Sequence, residues 1–258
     1  MSELPSVWRR GETGPPLVFL HGVGGDHSMW RPQLARFGAR FRCVAWDMPG
    51  YGASPPPGSW SFATFADALL RLLDALGFAR IHLVGQSLGG MIAQEFAATS
   101  ADRLATLTLC NTSAAFGTMD GEFQRRFVAD RLEPLERGAS MEDVAAENIA
   151  RIMGPGASRE ARAIARACTA NIPAESYKQA IRMIPSFDRR ESLARIACPA
   201  LLIAGALDAV APAPMMERMA TKVPGARFVS LEGCGHLGSI EAPDAFDAAL
   251  GDFLSALA

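Results

Sequence analysis

The sequence predicts an α/β protein built on a mostly parallel, doubly wound sheet with a helical cap inserted between two strands. Three observations carry that prediction. Short apolar runs bounded by Gly, Pro or Asp alternate with stretches of helical period. The runs are apolar throughout, as strands buried between two helical layers are. One long segment between two of these runs shows helical patterns only, which marks an insertion rather than a second sheet.

The expected strands are PLVFL (16–20), FRCVAW (41–46), RIHLV (80–84), ATLTLC (105–110), PALLIAG (199–205) and ARFVSL (226–231). Between them, TFADALLRLLDALG (64–77) places apolar residues at helical spacing and ends on Gly77, a natural stop. GGMIAQEFAATS (89–100) and PDAFDAALGDFLSAL (243–257) follow the same pattern. Strands joined through helices specify parallel pairing with helices on both faces. From 113 to 187 only helical patterns occur: GEFQRRFVADRLEPLERG, SMEDVAAENIARIMG, SREARAIARACTA and AESYKQAIRMI. Gly138, Gly154-Pro155-Gly156 and Pro173 punctuate them. The expected organisation is a core of 1–112 and 188–258 with a cap at 113–187. SPPPGS (54–59) reads as a local loop, and there is no internal repeat.

Composition narrows the function classes. With 258 residues, 49% hydrophobic and 20% charged, the chain can bury a large core. A net charge of −2, without Lys/Arg clusters interleaved with aromatics, argues against a nucleic-acid partner or an anionic membrane. The five cysteines are scattered, odd in number and never spaced Cys-Xaa-Xaa-Cys. That pattern points to reduced thiols rather than disulfides or zinc. The N-terminal MSELPSVWRRGETG is polar, and no apolar run approaches the ~20 residues that span a bilayer. The expectation is a cytoplasmic protein with a small-molecule substrate and no cofactor, metal or membrane partner. Nothing in the pattern specifies an oligomer.

The chemistry centres on VGQSLGGM (84–91), where Ser87 stands between a strand and a helix. A nucleophilic serine needs an exposed Oγ, and small neighbours permit the sharp turn that exposes it. The helix N-terminus also favours developing negative charge. Four histidines are available as a base: His21, His27, His82 and His236. His82 lies within a strand, whereas His236 follows the last strand in LEGCGHLGSIEAP (231–243). Loops after parallel strands gather at one edge of the sheet, the edge expected for Ser87 too. Asp208, in LLIAGALDAVAP (201–212), follows the preceding strand and supplies an acid to orient the imidazole. Asp47, in WDMPGYGAS (46–54), reads as a structural turn, and Glu232 is a weaker alternative acid. The glycines of LVFLHGVGGD (17–26) leave N–H groups free for an oxyanion, with His21 bracing the loop. A dinucleotide fingerprint fails there because His27 stands where the third glycine is needed.

HGVGG, DMPGYGAS, VGQSLGGM, GALDAVAP and GCGHLGSIEAP together resemble the α/β-hydrolase fold family. GQSLGGMIAQEFA, LTLCNTS and PGARFVSLEGCGHLGSIEAPDAF are similar to its esterase and lactonase branch, which includes 3-oxoadipate enol-lactonases. The resemblance implies a catalytic set of Ser87, Asp208 and His236 in the order nucleophile, acid, base. It also implies an oxyanion hole from the backbone N–H groups of Val23 and Leu88. The implied reaction is hydrolysis of a carboxylic ester or lactone through an acyl-enzyme. Carbon–carbon hydrolysis of vinylogous diketones, cofactor-free oxygenase or perhydrolase chemistry, and slow-turnover ligand binding remain open alternatives. Branches with a carboxylate nucleophile are disfavoured by Ser87.

Specificity is expected under the cap. Candidate pocket residues are Met29 and Trp30, close after the oxyanion loop, then Phe116, Phe127, Met153 and Met183 from the insertion, and Leu237 beside His236. Phe123, Ile184 and Phe187 are also apolar there, although part of this set must bury the cap's own helices. Arg125, Arg126 and Arg182 suit a solvated helix face or a substrate carboxylate. The acyl pocket is expected to be mainly apolar.

Overall fold

The computed structural model describes residues 3–117 and 121–257. The first two residues of the polar N-terminal segment and residues 118–120 of the expected cap lie outside the described residues, as does 258. Seven strands form one sheet: β1 (Val7–Arg10), β2 (Pro16–Leu20), β3 (Arg42–Trp46), β4 (Ile81–Gln86), β5 (Leu104–Cys110), β6 (Ala200–Gly205) and β7 (Arg227–Leu231). Their order is β1-β3-β2-β4-β5-β6-β7. All pair in parallel except β1, which runs antiparallel to β3 with Val7 opposite Trp46. The winding reverses direction between β2 and β4, where Phe19 pairs with Val84. Loops leaving those two strands therefore part on opposite sides of a crevice, as open α/β sheets require.

Each central strand is apolar throughout because both faces are covered. On β2, Leu17 and Phe19 face α1 (Arg31–Phe37) and α10 (Pro243–Ser255), packing with Leu34, Phe246 and Leu250. Val18 and Leu20 face α2 (Phe62–Ala75), α3 (Leu88–Thr99) and α8 (Ala213–Ala220), packing with Phe65, Leu69, Ile92 and Met216. Each such fully buried side chain contributes about 1.5–3 kcal/mol. Ser61 starts α2 by accepting the Thr64 N–H, and the helix ends before Gly77 at φ 67°.

Two strands depart from the sequence expectation. β1 was not expected, because VWRR lacks the apolar pattern. Its backbone pairs with β3, Val7 packs on the core and Trp8 stacks on His27, while the charges of Arg9 and Arg10 protect the exposed edge. β7, expected to be buried on both faces, is the opposite edge, with Arg227 and Ser230 exposed.

Between β5 and β6 the chain makes α4 (Glu122–Glu136), α5 (Met141–Ile152), α6 (Arg159–Ala170) and α7 (Ala174–Met183). Ser140 and Asp143 form a reciprocal capping box on α5, and Ser158 caps α6. The segments entering and leaving this insertion are bonded to each other: Phe116 N–H to Phe187 O (3.0 Å) and Arg189 N–H to Ala114 O (2.7 Å). Arg189 also pairs with Glu95, buried on α3. A short α9 (Gly238–Glu241) follows the histidine loop. Among the described residues no helix is long and apolar enough to cross a membrane.

Candidate active site

Ser87 ends β4 and begins α3 with φ 52° and ψ −118°. Such backbone strain amounts to about 1–3 kcal/mol for a side-chain-bearing residue and persists only where its surroundings enforce it. The end of β5 does so: Ser87 N–H donates to Cys110 O (2.9 Å), and Thr112 Oγ1 donates to Ser87 O (2.8 Å). The turn lifts Oγ out of the sheet toward the crevice. Gly22 lets the loop after β2 close on it, since a Cβ there would lie 2.9 Å from Ser87 Cβ.

His236 Nε2 lies 3.0 Å from Ser87 Oγ, and His236 Nδ1 lies 2.7 Å from Asp208 Oδ2. Asp208 is buried in the turn after β6. Its Oδ1 accepts the N–H groups of Val210 (2.7 Å) and Ala211 (3.1 Å), and its Oδ2 also accepts Asn111 Nδ2 (2.9 Å). Burial pushes this carboxyl up, but His236 and the hydrogen bonds from His236, Asn111 and Ala211 outweigh it and hold it at about 2. An ionised Asp208 accepts, so Nδ1 carries the proton and the Nε2 lone pair faces the serine hydroxyl. Asn111, which has φ 47°, also donates to Gly235 O (3.3 Å) and so joins acid and base loops.

Among the described residues, the backbone N–H groups of Val23 and Leu88 donate to no protein acceptor. Leu88 is the first residue of α3, where such donors are free. The Val23 loop is held from several sides. Tyr51 Oη donates to Val23 O (3.1 Å), and Thr169 Oγ1 of α6 donates to Gly24 O (2.8 Å). His21 is fully buried, and burial lowers its pKa. Its Nε2 accepts Met48 N–H (2.9 Å), which leaves Nδ1 to donate to Gly22 O (2.8 Å). Asp47 accepts from the His27 backbone N–H (3.0 Å) and Nδ1 (2.8 Å) in a structural turn. His82 stays in its strand against Thr106 Oγ1 (3.0 Å), and Glu232 is exposed.

A cavity of about 100 Å³ adjoins Ser87 and His236 beneath the insertion. Met29, Phe116, Phe127 and Leu237 line it, as do Val23 and Leu88. Three expected pocket residues do not. Trp30 turns the other way from Met29 and packs into the sheet core, 5.0 Å from Phe19 and 6.1 Å from Phe246 between ring centres. Met153 is buried in the joint between α5, α6 and the histidine loop, and Met183 in the core beneath α7. Phe123 is exposed, and Phe187 packs against Phe62. Arg126 and Arg182 lie at the surface near Asp130, Glu136 and Glu175.

The cavity is mainly apolar, as expected, but the insertion also sets four polar side chains against it: Arg131, Asn148, Arg151 and Tyr177. Arg131 stacks on Phe127, with Cζ 3.7 Å from the ring centre. Its pKa is lowered to about 10, chiefly by burial, with the charge of Arg151 adding. Arg151 donates to Asn148 Oδ1 (2.7 Å), whose amide reaches Tyr177 Oη (3.3 Å). Among the described residues neither arginine has a carboxylate partner within 4.0 Å. The helical period carries the signal that sequence reasoning missed: Arg131 lies four residues beyond Phe127, on the same face.

A parallel sheet with this order and a serine–histidine–aspartate chain at its crevice is the architecture of a hydrolase. The chain belongs to the alpha/beta hydrolase family, whose model matches residues 17–249. It is 30% identical over 238 residues to 3-oxoadipate enol-lactonase 1 of Acinetobacter baylyi, covering 91% of this chain and 86% of that one. It is 32% identical over 256 residues to RutD of Pseudomonas savastanoi pv. phaseolicola, to which carbamate hydrolysis is ascribed, covering 94% of each. The crystal structure of the enol-lactonase from Burkholderia xenovorans LB400 superposes with a TM-score of 0.86 at 29% identity, over 97% of this chain and 96% of that one.

Proposed function

We propose that the protein hydrolyses a carboxylic ester or lactone through an acyl-enzyme on Ser87. The observation that carries this reading is the unbroken hydrogen-bonded path from Ser87 Oγ through His236 to Asp208, opening on the cavity. His236 takes the hydroxyl proton as Oγ adds to the carbonyl, and Asp208 stabilises the resulting imidazolium. The oxyanion meets the free N–H groups of Val23 and Leu88. His236 then protonates the leaving alkoxide, and in the second half-reaction it activates the water that releases the acid. In a lactone the leaving alcohol stays tethered to the acyl group, so deacylation yields a single hydroxy acid, or its keto form when the alcohol is an enol.

The enol-lactonase relatives suggest a substrate carrying a second, free carboxylate. Arg131 and Arg151, without carboxylate partners of their own, support that choice within an otherwise apolar pocket. In the same reading residues 113–187 form a cap over the site, and the protein works in the cytoplasm. The test is a panel of neutral p-nitrophenyl esters, their carboxylate-bearing counterparts, enol-lactones, carbamates and ring-fission diketones. Wild type is expected to turn over esters and lactones, and to prefer the charged member of each pair by tenfold or more in kcat/KM. Arg131→Met is expected to bring that ratio toward one. Full turnover by Ser87→Ala, or turnover confined to diketones or carbamates, overturns the proposal.

A further inference from the structure

His236 is not held by the sheet alone. The loop between β7 and α9 reaches outward and docks on the end of α5: His236 N–H donates to Ile152 O at 2.7 Å. The two backbones meet without side chains between them. A Cβ on Gly235 would sit 2.7 Å from Gly154 N, so only glycine permits this contact.

One carboxylate binds both sides of the joint. Glu241 Oε2 accepts the N–H of Gly154, just past α5, at 2.6 Å, and the N–H of Gly235 at 2.9 Å. Its Oε1 accepts the N–H of Leu237 at 2.8 Å, and its own N–H returns to Leu237 O at 2.9 Å. The N–H groups of the residues immediately before and after the histidine are thus tied to the same group that ties the insertion. Charge-assisted bonds of this kind are about twice as strong as neutral ones. Arg162 adds a bond from α6 to Gly154 O (2.9 Å), so α5 and α6 are held at the same point.

We infer that Glu241 is a positioning residue that sets the imidazole of His236 and couples its placement to that of the helical insertion. The inference rests on His236 acting as the base. Glu241 touches neither Ser87 nor the bound carbonyl; it acts through the backbone on either side of the histidine. An insertion that shifts at Gly154 shifts the base with it, so a substrate that seats α5 also seats the imidazole.

The test compares Glu241→Ala and Glu241→Gln with wild type, using a short neutral ester and backbone hydrogen exchange. A displacement near 1 Å at a reacting group lowers rate by up to about 10²-fold. Glu241→Ala is therefore expected to lose roughly 10–100-fold in kcat with KM within about twofold of wild type. Glu241→Gln, which keeps one acceptor oxygen, is expected to recover part of that loss. Exchange at 152–154 and 235–237 is expected to rise together in both variants, while the sheet amides stay protected. Wild-type kcat in Glu241→Ala, or faster exchange at 235–237 with none at 152–154, overturns the inference. If Glu241→Ala does not fold, the exchange of Glu241→Gln decides alone. Turnover retained by Ser87→Ala removes the hydrolase reading instead, and leaves the exchange result to judge the joint.

Discussion

At Ser87 the side chain and the backbone make opposite demands on stability. Its φ of 52° suits glycine, yet glycine carries no group that can attack a carbonyl. Replacing it separates the two. Both Ser87→Ala and Ser87→Gly are expected to lose at least 10³-fold in ester turnover. Ser87→Gly is expected to be the more stable, by about 1 kcal/mol, because only alanine keeps the positive-φ penalty. Thermal unfolding should place its Tm about 2–4 °C above that of Ser87→Ala. Asp208 makes a complementary prediction. Its carboxyl, held at about 2, is ionised throughout the neutral range. Asn in its place leaves Val210 and Ala211 their acceptor but presents an amide to His236, favouring the wrong tautomer. Asp208→Asn is expected to fold and to lose about 10³–10⁴-fold in kcat. The sign for stability follows from the lowered pKa. Asp208 stabilises the fold above its ordinary value of 3.8, and that contribution is lost as pH falls toward 2. Denaturation of wild type between pH 2 and 5 should show this loss, and Asp208→Asn should lack it.

At the scale of elements, α10 carries a buried charge that its packing does not need. Asp247 faces α1, where Gln33 Nε2 donates to its Oδ1 (2.9 Å) and to Ser239 O (3.0 Å). Burial raises this carboxyl to about 6, with Asp244 adding to the shift against the opposing pull of Gln33 and Arg36. A raised carboxyl pKa means that the fold holds its proton more tightly than the unfolded chain. Its contribution is full below 3.8 and is lost as pH rises through about 6. Asp247→Asn keeps an acceptor for Gln33 and removes the ionisation. It is expected to raise Tm by several degrees at pH 8, with the gap narrowing as pH is lowered to 5. The elements also differ in how well their sequences announce them. The six parallel strands were legible as compact apolar runs, a composition that burial on both faces imposes on all of them but the edge strand β7. β1 was not, since backbone pairing at an edge imposes no composition on VWRR.

Across the whole molecule, legibility follows the range of the contacts involved. Ser87, Asp208 and His236 each follow the C-terminal end of a strand, so parallel pairing alone draws them to one edge. Assigning the three to one site needs no knowledge of the insertion, although the insertion helps to hold His236 in place. The cavity wall is different. Whether Met29 or Trp30 faces the cavity depends on a short helical turn, and the part played by Arg131 depends on how α4, α5 and α7 meet. Helical period puts Arg131 on the face of Phe127 but does not say whether that face meets the cavity, and charged residues in a helix usually mark its solvent face. Hence Trp30, Met153 and Met183 were expected in the pocket, whereas Arg131 and Arg151 were not.

The paired stems at 114–116 and 187–189 bear on how such a chain diversifies. Closing a chain segment at its base makes the sheet nearly indifferent to its length, since each doubling adds only about 0.6 kcal/mol of closure entropy. By that bond alone the whole stretch is a cassette, replaceable by another of different size. The second attachment, where Glu241 and Ile152 join the histidine loop, limits the exchange. A transplanted cassette that lacks a backbone N–H at the position of Gly154 would leave the sheet intact and the imidazole adrift. Ancestry can therefore rewrite what the protein recognises only through inserts that reproduce this attachment, along with the Thr169 bond to the loop of Gly24.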